Sequence, residues 1–264
     1  MVKKTPKVGL VLSAGSSRGF AHLGVLKVLK DAGIPIDVIA GTSIGSVFGA
    51  LYASGSDIDL LIKMTEHLKQ QQYMDVSVPR WGLIKGKKIE ELLKLLTKGL
   101  TFEELNIPLY VVAVDIENGE EVVFSKGPVY QAVRASISIP GIFEPQRING
   151  KLYVDGAVLN TLPINLVKEH GVDITIAVEV KYGGIIGKHK SINNIFDVIL
   201  HSIDLMQLDH VKKCYEEADI LIKPDLSHIN PNRFDGAMES ISIGMEAAQK
   251  VLPQIKEAII GKNG

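Results

Sequence analysis

The sequence predicts a three-layer α/β/α fold around a mixed, mostly parallel central sheet. Short apolar runs alternate with helical periodicities along the chain, the pattern that covers both faces of a sheet with helices. The run Val8–Leu12 is apolar or glycine at every position, as a strand buried on both faces requires. The turn signal Glu117-Asn118-Gly119-Glu120 adds an antiparallel hairpin, which makes the sheet mixed.

Taken in order, Val8–Leu12 is the first strand. Phe20, Leu23, Leu26 and Leu29 then recur at helical spacing as far as Gly33, a C-terminal stop. Ile36–Ala40 is the second strand, and a small-residue helix follows through Ser46–Leu51. Ile58–Gln71 and Lys88–Lys98 read as polar-faced helices, separated by a loop, Tyr73–Gly86, with Pro79 and the only tryptophan, Trp81. Leu109–Asp115 and Glu121–Phe124 are the two arms of the hairpin. Val129–Ser136 is a short helix stopped by Ile139-Pro140-Gly141. Ile174–Val180 and Ile220–Ile222 are further buried strands, and Ile192–Glu217 and Met238–Ile260 are the closing helices. With no linker, repeat or low-complexity tract, residues 1–264 read as one domain with its core at about 8–170.

Composition excludes several classes. Hydrophobic residues make up 46% and charged residues 22% of the 264, an ordinary globular balance. A net charge of −1 leaves no basic excess for nucleic acid. The single cysteine, Cys214, permits no internal disulfide and fits a reducing compartment. No apolar run reaches the ~18 residues of a membrane span. The basic Met1–Lys7 followed by Val8–Leu12 has the outline of a secretory signal, but the apolar part is shorter than the ~7–15 residues needed. A first core strand explains it better, so a cytoplasmic protein, with a peripheral membrane location as the alternative, is expected. No cluster has zinc spacing and no EF-hand loop occurs, so neither metal nor cofactor is expected.

Three segments carry chemistry. Gly41-Thr42-Ser43-Ile44-Gly45 sits between an apolar run and a helical run, the strand–turn–helix context in which Gly-x-Ser-x-Gly is a nucleophile elbow rather than a capping turn. Gly41 and Gly45 let strand and helix approach, and Ser43 stands at a helix N-terminus that favours developing negative charge. The first strand runs into Ser13-Ala14-Gly15-Ser16-Ser17-Arg18-Gly19, a small-residue loop whose backbone N–H groups suit an oxyanion; the glycine spacing of a phosphate loop is missing. Leu152-Tyr153-Val154-Asp155-Gly156 ends an apolar run with a carboxylate and a glycine that bends the chain away. Alone it is a plain Asp-Gly turn; its neighbours Arg134–Gly141 and Asn160-Thr161-Leu162-Pro163 raise it. Arg18 has two readings, a pin for the loop or an attractor for an anionic head group. His22 reads as a packed histidine.

Together these residues resemble the patatin-like phospholipase family in its bacterial single-domain form. The matches run in family order: the loop ending Arg18-Gly19-x-Ala21-His22, then Gly41–Gly45, then Ala135-Ser136-x-Ser138-Ile139-Pro140-Gly141-x-Phe143, then Asp155-Gly156-Ala157. Ala218–Pro224 resembles the family's late strand. The resemblance implies a Ser–Asp dyad, with Ser43 as nucleophile, Asp155 as general base and the N–H groups of Ala14, Gly15 and Ser16 as the oxyanion hole. It implies a lipid or acyl-ester substrate and transient contact with a membrane surface. A serine hydroxyl needs an adjacent base, and a carboxylate serves only when close and desolvated. The loop departs from the family's glycine-rich run.

A Ser–Asp/Glu–His triad is the rival. His170, His189, His201, His210 and His228 all follow Ser43, with His228 in Asp225–Asn230 the best placed, but the elbow comes after only the second strand and none of these histidines sits in a loop with a distinctive local signature. A carboxylesterase or thioesterase of small acyl substrates, and a non-catalytic lipid-sensing protein, stay as alternative functions. Tyr73–Leu83, Gly183–Gly187 and His228–Gly236 are candidates for a rim or lid. Lys85, Lys87 and Lys88 are either solvated or in contact with anionic lipid.

Overall fold

The computed structural model describes residues 5–67, 75, 81–181, 192 and 195–262. Its elements are β1 Val8–Leu12, a 3-10 turn Ser16–Gly19, α1 Phe20–Asp31, β2 Val38–Thr42, α2 Ile44–Ala53, α3 Ile58–Glu66, β3 Gly82–Ile84 and α4 Lys87–Leu96. After a 3-10 turn at Phe102–Glu104 come β4 Leu109–Asp115, β5 Glu120–Phe124, α5 Val129–Ser136, β6 Gly141–Phe143, β7 Gln146–Ile148 and β8 Lys151–Asp155. A 3-10 turn Gly156–Val158 leads to α6 Ile164–Glu169, β9 Ile174–Val178, α7 Ile195–Glu217, β10 Ile220–Ile222 and α8 Ala237–Gly261.

The main sheet has the order β10-β9-β1-β2-β4-β8-β7, with β5 on the far edge of β4. β10, β9, β1, β2 and β4 are parallel; β5, β7 and β8 are antiparallel to their neighbours. β1 and β2 are buried at every position, as expected for central strands covered on both sides. Alternate side chains divide between two cores. Leu10, Leu12, Ile39, Val111 and Ile176 face α1, α2, α5 and α8, whereas Val11, Ala40, Val112 and Ala177 face α6 and Cys214 of α7. These are the three layers. β3 and β6 form a small parallel pair outside them.

The closing helix α8 returns to α1 at very short range. A Cβ added to Gly24 would run into the carbonyl of Ile241, and one added to Gly244 into the carbonyl of Ala21. Both glycines are there to let two helix backbones approach.

Some boundaries moved. The second strand is Val38–Thr42 rather than Ile36–Ala40, because pairing with β1 begins beside Gly9 and Pro35 precedes it. The helix expected over Ile58–Gln71 ends at Glu66, and the rest of that range beyond His67 lies outside the described residues. The strand expected over Ile174–Val180 ends at Val178. β3, β6, β7 and α6 had no counterpart in the sequence reading; three to six residues give too few periods to read.

Candidate active site

Ser43 and Asp155 are brought together by the sheet itself. β2 runs parallel to β4 and pairs Thr42 with Val112; β8 runs antiparallel to β4 and pairs Asp155 with Ala113. Two strands therefore approach each other along one edge of β4 and meet head-on. Ser43 follows the last residue of β2, and Asp155 is the last of β8. Ser43 Oγ donates to Asp155 Oδ2 at 2.6 Å, across 112 positions of sequence. Gly156 then turns away in a space that a Cβ would not share with the Val112 carbonyl.

The elbow has the strain its motif requires. Ser43 has φ 54° and ψ −126°, a backbone conformation disfavoured for any residue with a Cβ. Such a conformation persists only where the surroundings over-determine it. The Ser43 carbonyl accepts from Ser46 N at 2.9 Å and from Ser46 Oγ at 2.6 Å. The Ser43 N–H donates to Ser136 Oγ at 2.8 Å. Gly41 and Gly45 serve close packing: a Cβ on Gly41 would lie 2.8 Å from the Gly45 backbone, and one on Gly45 would strike the Leu12 carbonyl.

The loop after β1 lies beside the elbow, and one of its three expected donors is committed elsewhere. The Ala14 N–H donates to the Thr161 carbonyl at 3.0 Å, which removes it from the expected oxyanion hole. Gly15 N–H and Ser16 N–H have no protein acceptor among the described residues. Ser16 takes φ 50°, and a Cβ on Gly15 would meet Val180 Cγ2 at 2.6 Å. Arg18 resolves to the pin rather than the attractor. Its Nε, Nη1 and Nη2 donate to the carbonyls of Ile229, Lys181 and Ser227 at 3.0, 2.9 and 3.1 Å. Ser17 Oγ donates to the Asn230 carbonyl at 2.9 Å, so the start of the expected rim His228–Gly236, at Ile229 and Asn230, is tied to this loop. His22 is packed as expected: its ring is fully buried and Nε2 donates to the Ser13 carbonyl at 2.9 Å. Burial pushes it down to about 4, so the ring is neutral.

Electrostatics favour a basic carboxylate at Asp155. Burial pushes its pKa up to about 6, against the opposing pull of the Ser43 hydroxyl, the Ala157 N–H and the Lys181 charge. The Ala157 N–H donates to Oδ1 at 2.8 Å and leaves Oδ2 for Ser43. No histidine among the described residues hydrogen-bonds to either group. His170 is bound to the Leu166 carbonyl, His228 to Glu239 and His210 to Cys214.

The patatin-like phospholipase family model matches residues 10–168, a span that takes in the loop, the elbow and Asp155. The chain belongs to the patatin-like phospholipase family. This patatin-like chain is 36% identical over 179 residues to an uncharacterized NTE family protein of Mycobacterium tuberculosis, covering 67% of the chain and 49% of that protein. It is 34% identical over 179 residues to lysophospholipase NTE1 of Candida albicans, covering 66% of the chain and 13% of that protein. The chain thus spans about half the length of its mycobacterial relatives or less. Among solved structures, VipD from Legionella pneumophila superposes with TM-score 0.66 at 14% identity, over 95% of this chain and 67% of that one. Human GIVD cytosolic phospholipase A2 superposes with TM-score 0.54 at 12% identity, over 98% and 60%. These two establish the shared α/β/α architecture of the patatin-like chain.

Beside the site of this patatin-like chain lies α7, which buries Val211 and Cys214 but also buries two polar residues and exposes several apolar ones. Asp204 and Gln207 point inward, where Asp204 pairs with Lys181 at 2.8 Å and Gln207 Nε2 donates to the Val158 carbonyl at 2.8 Å. Ile195, Val198, Leu205 and Met206 point outward, with Leu205 59% and Met206 75% exposed. Trp81 and Leu83 are exposed on the neighbouring β3 segment, as are Lys85, Lys87 and Lys88. Of the rim candidates, Gly183–Gly187 and residues 73, 74 and 76–80 of Tyr73–Leu83 lie outside the described residues, as does His189. Sequence reasoning quoted Ser136 and Ser138 as part of a motif but gave them no task. Their spacing after a short helix was the available signal.

Proposed function

We propose that the chain is a serine acyl hydrolase that cleaves fatty-acyl esters of lysophospholipids or phospholipids through a Ser43–Asp155 dyad. The 2.6 Å bond from Ser43 Oγ to Asp155 Oδ2, made on a strained elbow, is the observation that carries the reading. Asp155 takes the hydroxyl proton as Oγ attacks the ester carbonyl carbon. The carbonyl oxygen becomes an oxyanion within reach of Gly15 N–H and Ser16 N–H, and a fixed donor of this kind contributes ~10²–10³-fold. Collapse of the intermediate breaks the ester C–O bond, and the leaving alkoxide recovers the proton from Asp155. A water, deprotonated by the same carboxylate, then releases the fatty acid and frees Ser43.

Family membership and the likeness to lysophospholipase NTE1 support a lipid ester as substrate. The apolar ridge of α7 supports contact with a lipid surface, because it lies outward from the segment that carries Asp155. Ser43→Ala is expected to abolish ester hydrolysis and covalent labelling by a fluorophosphonate, with the circular dichroism spectrum unchanged. A screen of p-nitrophenyl esters separates the lipid hydrolase, which prefers long chains, from a small-ester hydrolase. Turnover at a near-normal rate by Ser43→Ala refutes the assignment.

A further inference from the structure

Both reacting residues are gripped at their backbone N–H by one short turn. Ser43 N–H donates to Ser136 Oγ at 2.8 Å, and Asp155 N–H donates to the Ser138 carbonyl at 2.9 Å. The turn ends α5 and is fully buried at both serines. It is anchored by Arg134, itself buried. Its Nη1 donates to Ser138 Oγ at 2.6 Å, its Nε to the Gly86 carbonyl at 3.1 Å, and its Nη2 to the carbonyls of Lys85 and Glu144 at 2.8 and 3.1 Å. Two surrounding segments, at Lys85-Gly86 and at Glu144, thus fix the place from which the turn reaches the site.

We infer that Ser136 is a positioning residue for the reaction of Ser43 with Asp155, its Oγ holding the Ser43 backbone in the orientation that points the nucleophile at the base. This rests on the Ser–Asp reading above. The physical need for it lies at the elbow. Thr42 ends β2 and Ile44 begins α2, so the Ser43 N–H falls between the sheet ladder and the helix ladder and needs an acceptor from elsewhere. Ser136 Oγ supplies it from an element 93 positions away. With that acceptor gone, the buried N–H has no partner. Rotating the peptide between Thr42 and Ser43 is then the easiest relief, because the positive φ of Ser43 is the strained part of the turn. That rotation carries Oγ away from Asp155. Displacements of ~1 Å at a reacting group cost about 10²-fold in rate. Ser136 itself touches neither the Ser43 hydroxyl nor the Asp155 carboxylate among the bonds described.

The test compares Ser136→Ala, Ser136→Cys and Ser136→Thr with the unaltered protein. Alanine removes the acceptor, cysteine nearly keeps the volume with a weak acceptor, and threonine keeps the hydroxyl. Leu29→Ala, a core truncation in α1, serves as a control that lowers Tm away from the site. The readouts are kcat and KM on p-nitrophenyl butyrate, the second-order rate of fluorophosphonate labelling mapped to Ser43, and Tm. The Ala and Cys variants are expected to lower both kcat and the labelling rate ~10- to 100-fold, with KM within about twofold, while Thr restores most of the rate. Leu29→Ala is expected to lower Tm with kcat retained below its melting point. The inference is overturned if folded Ala and Cys variants keep kcat within twofold. It is also overturned if their losses scale with Tm as in the control, if KM rises instead of kcat falling, or if both fail to fold. Absence of turnover and labelling in the unaltered protein refutes the hydrolase reading instead, so the two failures are distinct.

Discussion

At the scale of single residues, the proposed chemistry turns on one carboxylate. Asp155 is close enough to take a proton from Ser43, and burial makes it a stronger base than a solvated aspartate. Deprotonation is required for that role, so kcat/KM should rise with pH through about 6 and level off above it. The same shift has a stability consequence of opposite sense. With the folded-state pKa raised, the contribution of Asp155 to stability is fully present below its ordinary value of 3.8 and is lost as pH rises through about 6. Asp155→Asn should therefore lower kcat/KM by at least ~10²-fold, yet melt higher than the unaltered protein at pH 8. The gain, at most about 3 kcal/mol, should vanish at pH 4. Thermal melts at both pH values, beside a pH–rate profile, check both halves. Replacing His201, His210 or His228 by Gln should leave kcat/KM within a few-fold, because none of them bonds to the pair. A histidine variant as damaged as Ser43→Ala would make the base a histidine after all.

At the scale of elements, α7 is the one whose outward face the sequence did not explain. Its apolar residues are spread around the helix, so periodicity alone did not tell which side is covered. The fold settles that by placing Asp204 and Gln207 against Lys181 and Val158. If the outward ridge meets lipid, the double variant Leu205→Glu, Met206→Glu should sediment with phosphatidylcholine vesicles far less than the unaltered protein and lose activity on vesicle substrate. Its kcat/KM on monomeric p-nitrophenyl butyrate should stay within about twofold. Equal sedimentation of the two proteins would remove the ridge from lipid contact. Elements differed in legibility for physical reasons. The long apolar strands β1 and β4 and the helices α5 and α8 announced themselves by unbroken runs or clear periods. The three-residue strands β3, β6 and β7 did not, since their pairing is decided by partners distant in sequence.

At the scale of the whole molecule, the first and last helices close the fold together. Gly24 on α1 and Gly244 on α8 each face the other helix's backbone. Gly244→Val should therefore force the helices apart and lower stability by a few kcal/mol, in the range of overpacked cores (~1–3 kcal/mol). Its kcat on a soluble ester should be preserved below the melting temperature. Calorimetry with parallel rate measurements checks this, and an unchanged Tm would mean that α8 can shift without cost. The layer order and the nucleophile turn were readable because strand–turn–helix context and glycine spacing are local. The fate of the Ala14 N–H was not readable, because its acceptor, Thr161, arrives from the segment after Asp155.

The head-on meeting of β2 and β8 along β4 makes β4 a gauge for the separation of Ser43 and Asp155. A slip of one residue by either strand would move its group by about 3.3 Å and turn it to the opposite face. Of the chain between β4 and β8, the turn that ends α5 holds both backbone N–H groups, whereas β5 and the β6–β7 excursion make no hydrogen bond to either residue among the described residues. Insertions at the exposed Asn149-Gly150 tip between β7 and β8, where both residues already take positive φ, can lengthen that excursion while β4 keeps the gap constant. The length of that tip is in this way free to vary, while the geometry of Ser43 and Asp155 is held by register.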